Sequence, residues 1–145
     1  MVLPVVAQGR AAAERLMLDR CVVRRPTDEL VTDPITFEVT RRHVVVYGPD
    51  SPKGGMCKVQ SHEAFEQERE SAAATVIVNR VRVDVPVGVG PFKPGDVVTI
   101  LDSVDPQMVG RHLRMTVEGP YKTHATAYRI AAEVVVDAEV PEWQG

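Results

Sequence analysis

The sequence predicts a mainly all-β protein: a small antiparallel β-barrel or sandwich with a short N-terminal helix and a long polar loop at residues 61–74. Three observations support this fold class. Valine is the dominant apolar residue, and β-branched residues favour strands. About seven short β-rich runs follow one another at intervals of roughly 8–15 residues, as in barrels and sandwiches. The alternation of strands and helices that builds parallel sheets is missing.

The clearest strand signal is the run Arg80–Val85 (RVRVDV), in which valines alternate with charged residues. This period of two places the apolar side chains on one face of a strand. A loop rich in Gly and Pro, residues 86–96, separates the run from a second one that starts at Val97. Two β-rich runs joined by such a loop predict an antiparallel pair. Neither strand can bury its apolar face alone, so we expect the flanking segments to wrap onto the pair.

The N-terminal residues are predicted to form an extended arm over 1–9 and a short helix over 10–19, because alanine-rich sequence favours helix. A helix of about ten residues is marginal on its own in water. Leu16 and Met17, which lie on its apolar side, must therefore be covered. Either the barrel of the same chain or a neighbouring subunit could cover them.

The other β-rich runs, bounded by Pro- and Gly-containing turns, predict strands at residues 20–25, 35–47, 56–60, 113–118 and 126–136. The first of them is expected to stop at Pro26, with a polar turn over 27–34. The second has a polar middle at 40–43, which indicates a bend or a bulge. Residues 20–136 would thus form the barrel and residues 137–145 a tail, within a single domain of residues 1–145.

Residues 61–74 break the β pattern. They combine one arginine and one large apolar residue, Phe65, with the glutamates Glu63, Glu66, Glu68 and Glu70. These residues form helices readily, but the segment has no apolar stripe that could dock on a core. We therefore predict a mobile, partly helical excursion from the barrel.

The composition limits the range of functions. The net charge of −3 and the pI of about 5.8 disfavour a dedicated nucleic-acid binder, which would usually be basic. No apolar stretch reaches the ~18 residues that a transmembrane helix needs. The apolar run at the N-terminus is broken by Pro4 and lacks a preceding basic region, so it is a poor signal peptide. We expect a protein made in the cytosol, without a membrane partner.

No motif predicts catalysis or a bound cofactor. The four histidines form no HxH or HExxH pattern, and their positions in turns, loops and polar strand sections predict solvated or hydrogen-bonded surface side chains. Cys21 and Cys57 are not a CxxC pair and are too few for a zinc site, so we expect two small buried apolar side chains. A disulfide between them is the alternative if their strands are neighbours. The loop 86–96 lacks the GK[ST] ending of a phosphate loop. We predict that the protein is not an enzyme and has no metal or cofactor.

Three stretches together resemble a known family: Glu14–Thr27 (ERLMLDRCVVRRPT), Gly55–Gln60 (GMCKVQ) and Gly110–Arg129 (GRHLRMTVEGPYKTHATAYR). In this order they resemble the head-closure or stopper proteins, which join head to tail in long-tailed bacteriophages, in the version found in phages of actinobacteria. The similarity covers roughly residues 10–136.

The resemblance implies a small β-barrel that assembles as a homo-oligomeric ring, with six-fold symmetry favoured over twelve-fold. Such a ring lies in the virion between the adaptor ring under the portal and the tail-terminator ring, and it is assembled in the host cytoplasm. It retains packaged DNA, which later passes through the channel without sequence recognition. The channel-closing loop of the family corresponds to residues 61–74, so Glu63, Phe65, Glu66, Glu68 and Glu70 would be channel residues. Leu16 and Met17 would contact another subunit or the adaptor ring.

Two alternatives remain at this stage. One is a tail terminator or another neighbouring connector ring. The other is a monomeric barrel of the OB type that binds an oligonucleotide or a small ligand. A barrel of the second kind should carry aromatic side chains on its strands for base stacking. The predicted strands offer only the widely spaced Phe37, Tyr47 and Tyr128, which disfavours it.

Overall fold

The structure is a computed structural model, and it describes residues 3–61, 80–116, 125–135 and 140–143. In these residues one helix precedes seven strands, and a single 3₁₀ turn spans Pro106–Met108. The elements are α1 (Pro4–Arg15), β1 (Asp19–Thr32), β2 (Val39–Tyr47), β3 (Met56–Ser61), β4 (Arg80–Val85), β5 (Val97–Asp102), β6 (His112–Met115) and β7 (Tyr128–Val135). No helix in the described part of the chain is long and apolar enough to cross a membrane.

The strands form one antiparallel sheet in the order β2-β1-β3-β4-β7-β6-β5, and β5 pairs back with β1. Six strands therefore close into a barrel, while β2 extends from the side of β1. The closure uses the register Cys21 opposite Ile100 and Val23 opposite Val98. The prediction of an antiparallel β-barrel with a short N-terminal helix is confirmed.

The barrel interior is filled by side chains that alternate along the strands. In β4, Val83 and Val85 point inward, as the sequence pattern predicts. Tyr47 and Phe92 meet edge to face with ring centroids 6.3 Å apart. The remaining members of the core are Cys21, Val23, Cys57, Val98, Ile100, Leu113, Met115, Ile130 and Ala132. A six-stranded barrel packed in this way has no channel of its own.

Strand β1 does not stop at Pro26, as the sequence predicts, but continues to Thr32. Proline lacks a backbone N–H, and here it lies next to a register shift between Pro26 and Leu30, where the ladder is already interrupted. The Thr27 hydroxyl donates a hydrogen bond of 2.8 Å to the carbonyl oxygen of Arg42 at this bulge. The predicted turn over 27–34 therefore lies further on, between Thr32 and Val39. The sequence predicts a bulge in the polar stretch of β2. The bulge lies instead on β1, opposite that stretch.

The strands β4 and β5 are not an antiparallel pair, contrary to the prediction. β4 pairs with β3 and β7, whereas β5 pairs with β1 and β6. Residues 86–96 connect strands that lie on different sides of the barrel, and they bury Phe92 in the core on the way. A short apolar run does not specify its neighbour, because several strands offer equivalent apolar faces.

The helix also differs from its predicted bounds. α1 begins at Pro4 and ends at Arg15, so it includes most of the predicted arm and stops before the predicted end at residue 19. Proline in the first helical turn is favoured, because its missing N–H would have no partner there in any helix. Leu16 follows the helix as its C-cap, and Asp19 already belongs to β1.

Candidate assembly surfaces

Beyond the barrel, β1 and β2 pair only with each other among the described strands. We call this part of the hairpin, residues 27–45, the β1–β2 arm. Its ladder includes Leu30 opposite Arg41, Val31 opposite Thr40 and Thr32 opposite Val39. Apolar side chains of the arm remain 42–85% exposed: Leu30, Val31, Ile35, Phe37, Val39, Val44 and Val45.

Both faces of the arm carry exposed apolar side chains. Residues opposite each other in an antiparallel ladder point to the same face, and residues two apart along a strand do so as well. Leu30 and Val39 therefore share one face, while Val31 and Val44 share the other. A hairpin that lay against its own barrel would bury one of these faces. The described residues of the same chain therefore leave both faces of the arm exposed.

The tip of the arm is a turn held by Asp33. Its Oδ1 accepts hydrogen bonds from the backbone N–H groups of Ile35 at 2.8 Å and Thr36 at 3.3 Å. These hydrogen bonds to the ionised form lower the pKa of the Asp33 carboxyl below its ordinary value. Phe37 has a φ of 58°, which is uncommon for a bulky residue, and its N–H donates to the carbonyl oxygen of Asp33 at 2.9 Å. The turn thus presents the side chains of Ile35 and Phe37 to solvent.

The base of the arm is fastened to the barrel by an ion pair. Arg25 donates two parallel hydrogen bonds to the carboxylate of Asp96, whose side chain is 1% exposed. The same guanidinium donates to the carbonyl oxygen of Pro91 at 3.0 Å. Asp96 also accepts a hydrogen bond from the backbone N–H of Lys93 at 2.9 Å. These contacts join β1 to the loop 86–96 and fix the direction in which the arm leaves the barrel.

A second apolar surface lies at the other end of β1. None of the residues of α1 is buried. The helix is attached by polar contacts, since Arg10 Nε donates to the carbonyl oxygen of Ala125 at 3.0 Å and Glu14 forms an ion pair with Lys53 at 2.9 Å. Exposed apolar side chains lie at both ends of α1, and we call them together the helix patch: Leu3, Val5, Leu16 and Leu18.

The two interface residues predicted from the sequence have different surroundings. Leu16 is 60% exposed and belongs to the helix patch, so its side chain is available to another subunit. Met17 is buried within the chain. Because Met17 follows the helix instead of lying in it, the sequence could not show that it turns toward the barrel. Contact of either residue with another subunit stays a prediction.

The predicted channel residues Glu63, Phe65, Glu66, Glu68 and Glu70 lie outside the described residues. What the structure gives is the position of their flanking strands. Ser61 at the end of β3 is paired with Val81 in β4. The segment between them therefore leaves and re-enters the barrel at two neighbouring strands.

A buried polar cluster on the outer wall of the barrel was missed by the sequence analysis. Arg24 Nη2 donates to Thr99 Oγ1 at 3.1 Å, and Thr99 Oγ1 is 2.8 Å from His112 Nδ1. The guanidinium of Arg24 lies 5.8 Å from the ring centroid of Trp143, and burial lowers its pKa. His112 is buried here, so the expectation of a surface histidine is wrong at this position.

Part of the predicted tail covers this outer wall. Val140 packs with Val97 and Val135 in a small second apolar cluster, outside the barrel core. The tail residues 140–143 thus cover apolar side chains of the outer wall through Val140 and the guanidinium of Arg24 through Trp143. The sequence signal was the outward position of these valines, which the alternation of β5 and β7 could have revealed.

Cys21 and Cys57 are both fully buried free thiols, as the sequence predicts for small apolar residues. They lie on the neighbouring strands β1 and β3, where Asp19 is opposite Cys57. A hydrogen bond between the two thiols, together with burial, raises the pKa of Cys21 well above its ordinary value. A raised pKa disfavours the thiolate, which is the reactive form. The arrangement is suited to packing.

The described residues contain no group of three or more His, Cys, Asp or Glu side chains that could hold a metal ion. The ion pair of Arg25 with Asp96 joins β1 to the loop 86–96, whereas that of Arg82 with Asp84 lies within β4. Most of the exposed large apolar side chains in the described part of the chain belong to the β1–β2 arm and the helix patch.

Comparison with known proteins places most of the chain in one group. Residues 9–133 match a family of unknown function (DUF6093). No curated protein and no solved structure matches the chain.

Proposed function

We propose that the chain, which belongs to the family of unknown function DUF6093, is a structural virion protein that forms a head-closure ring in the connector of a long-tailed bacteriophage. In this role the ring joins the adaptor ring to the tail and retains packaged DNA. The observation that carries the proposal is the apolar surface on the β1–β2 arm and the helix patch. Apolar side chains that are exposed on both faces of a ribbon are typical of a surface that binds another protein, and subunits of an assembly bury such side chains.

The packed barrel supports an assembly of several copies. Its interior is occupied by large side chains, among them Tyr47, Phe92 and Ile100, all of which are fully buried. DNA cannot pass through a barrel of this kind. A DNA channel would therefore lie between copies arranged around an axis, which is the arrangement that the family resemblance implies.

The three stretches that carry the resemblance correspond to parts that hold the fold together. Glu14–Thr27 contains the end of α1 and the part of β1 that contacts β2, β3 and β5. Gly55 at the start of the second stretch has a φ of +77°, and a Cβ there would lie 2.4 Å from the carbonyl oxygen of Cys21. The third stretch, Gly110–Arg129, contains β6 and the beginning of β7.

The acidic composition is compatible with a channel whose wall does not bind the DNA that passes through it. A net charge of −3 gives little attraction for phosphates. The glutamates of residues 61–74, repeated around a ring axis, would repel the DNA backbone at short range. DNA would then slide through without sequence recognition.

Loss of the gene tests the proposal. In a phage that carries this gene, a nonsense mutation should yield heads that fail to join tails and lose their DNA, and expression of the chain from a plasmid should restore joining. An antibody against the chain should label isolated heads. Label on isolated tails would favour a tail terminator, and normal particles from the mutant would overturn the proposal.

A further inference from the structure

We infer that the β1–β2 arm of one copy packs on the helix patch of the next copy, so that identical subunits join head to tail through two different surfaces. The inference rests on the proposed ring and names the contact that builds it. Four observations on the described residues lead to this contact.

The first observation is that the arm needs a partner. A two-stranded ribbon is marginally stable in water, and it becomes stable when another element covers a face. The exposed apolar side chains of the arm offer on the order of 500 Å² in total, divided between its two faces and its tip. Among the described strands, β2 pairs only with β1, so its outer edge also offers unpaired backbone groups to a neighbour.

The second observation is that the same chain carries a second surface with exposed apolar side chains. The helix patch exposes Leu16 and Leu18 with two further apolar side chains, and α1 buries no residue. Its polar attachments to Ala125 and Lys53 hold the helix in place without covering it. The patch is therefore preformed and open.

The third observation is the distance between the two surfaces. The helix patch precedes Asp19, where β1 begins, and the arm ends beyond Thr32, where β1 ends. At about 3.3 Å per residue, this strand places the tip of the arm roughly 40 Å from the helix patch and the base of the arm roughly 25 Å from it. The two surfaces cannot cover each other within one copy. A symmetric contact of arm with arm would leave the helix patch bare, whereas a contact of arm with helix patch covers both and forms a ring when the rotation closes.

The fourth observation is charge. Residues 28–38 at the end of the arm contain four carboxylates and no Lys or Arg. Within the described residues, ion pairs to Arg41 and Arg42 engage Asp28 and Glu29 but neither Asp33 nor Glu38. An arm-with-arm contact would bring these carboxylates together. Beside the helix patch, Arg15 and Arg20 are exposed, so the arm tip meets opposite charge there.

Charged substitutions at the two surfaces test the contact. Phe37→Asp in the arm and Leu16→Asp in the helix patch should each weaken self-association of the full chain at least about tenfold, as measured by sedimentation velocity. The control is Val109→Glu, an exposed apolar position in the turn between β5 and β6, which should leave association unchanged. Circular dichroism checks that each variant keeps its β structure.

Mixing the two variants distinguishes the head-to-tail contact from a symmetric one. Each variant keeps one intact surface, so an equimolar mixture should form a dimer that contains one copy of each, while neither variant alone forms it. Dimers of Leu16→Asp alone would show an arm-with-arm contact and overturn the inference. A wild-type chain that stays monomeric at millimolar concentration would overturn it as well.

The inference and the proposed function can fail separately. If the antibody labels phage heads but Phe37→Asp assembles like the wild type, the ring stands and the contact is wrong. If the variants behave as expected but no connector contains the chain, the contact stands and the virion role is wrong.

Discussion

Arg25 holds the buried carboxylate of Asp96 with two parallel hydrogen bonds, from Nε to Oδ1 at 2.9 Å and from Nη2 to Oδ2 at 3.0 Å. The pair connects the point where β1 leaves the barrel to the loop 86–96. Bidentate pairs of this kind constrain direction as well as distance. The ion pair therefore fixes the direction in which the arm leaves the barrel. A contact between subunits through the arm requires such a fixed direction.

Replacing Asp96 by alanine should destabilise the protein by roughly 2–4 kcal/mol, because the substitution leaves the partly buried guanidinium of Arg25 and the N–H of Lys93 without their acceptor. Urea unfolding measures the change. The matched control is Asp50→Ala, an exposed carboxylate in the turn after β2, for which a change within about 0.5 kcal/mol is expected. Equal effects of the two substitutions would show that the pair does not anchor the arm.

Gly55 should not tolerate a side chain. Its φ of +77° disfavours any L residue, and a Cβ would lie 2.4 Å from the backbone oxygen of Cys21. Gly55→Ala should therefore cost about 3 kcal/mol or more. Gly88 has a φ of +97°, but an added Cβ would meet nothing within 4 Å. Gly88→Ala therefore measures only the cost of the positive φ for an L residue, about 1–2 kcal/mol. Thermal unfolding of both variants checks the difference, and an equal loss would contradict the close approach at Gly55.

The two thiols should be unreactive in the folded protein. Both side chains are fully buried, and burial together with the hydrogen bond that the Cys21 thiol donates to Cys57 raises the pKa of Cys21, so an accessible thiolate is scarce at pH 8. Mass spectrometry after treatment with iodoacetamide should show no adduct on the native chain and two adducts after unfolding in urea. Replacement of both cysteines by alanine should preserve the fold at a cost of roughly 1–3 kcal/mol. If the mass of the native chain is two hydrogens below that expected for two free thiols, the cysteines form a disulfide instead.

The sequence predicts the barrel better than it predicts the connections. Alternation in the run Arg80–Val85 depends only on the two faces of a strand, and it identifies Val83 and Val85 as core residues correctly. The pairing of β4 with β3 and β7 depends on contacts between residues far apart in sequence, which a local pattern does not contain. The prediction that β1 stops at Pro26 is wrong for a similar reason. Whether a proline ends a strand depends on whether the hydrogen-bond ladder beside it is regular.

The exposed apolar surfaces are harder still to predict. Valine and leucine in the arm have the same pattern as those in the barrel, so the sequence cannot distinguish exposed from buried faces. Only the path of β1 beyond the barrel separates Val31, which is exposed, from Val23, which is fully buried. Leu16 was identified because a short helix must be covered. No comparable argument was available for Phe37 at the arm tip.

The arm tip should loosen in acid as Asp33 takes up a proton. The ionised carboxylate accepts hydrogen bonds from the N–H groups of Ile35 and Thr36, which lowers its pKa. Its contribution to the turn is therefore complete above the ordinary carboxyl pKa and is lost as the pH falls through the lowered value. A carboxyl titration by NMR should give a pKa for Asp33 below that of the same residue in a short peptide.

Two variants control the experiment on the turn. Asp33→Asn keeps an oxygen that can accept the backbone N–H groups, so the amide signals of Ile35 and Thr36 should no longer shift in acid. Asp33→Ala removes the acceptor and should shift those signals at neutral pH. An unperturbed pKa at Asp33, or an alanine variant with unchanged amide signals, would show that the carboxylate does not hold the turn.

The last prediction concerns residues 61–74, the predicted channel segment. In the proposed ring, Ser61 and Val81 lie side by side in every copy, so each copy would send its segment toward the same region of the assembly. Convergence of several copies multiplies the charge of Glu63, Glu66, Glu68 and Glu70, and at physiological ionic strength this repulsion reaches about 8 Å. Phe65 is the one large apolar side chain available for contacts between segments when the channel is closed.

A Gly-Ser replacement of residues 63–70 removes both the charge and the apolar contact while leaving β3 and β4 intact. Assembled particles with this replacement should lose packaged DNA, as measured by nuclease sensitivity of the heads. The control is Phe65→Leu, which keeps an apolar side chain and should retain DNA. A connector reconstruction that places the segment on the outer wall, or replacement particles that keep their DNA, would exclude a gating role, because neither outcome is compatible with a closure formed at the axis.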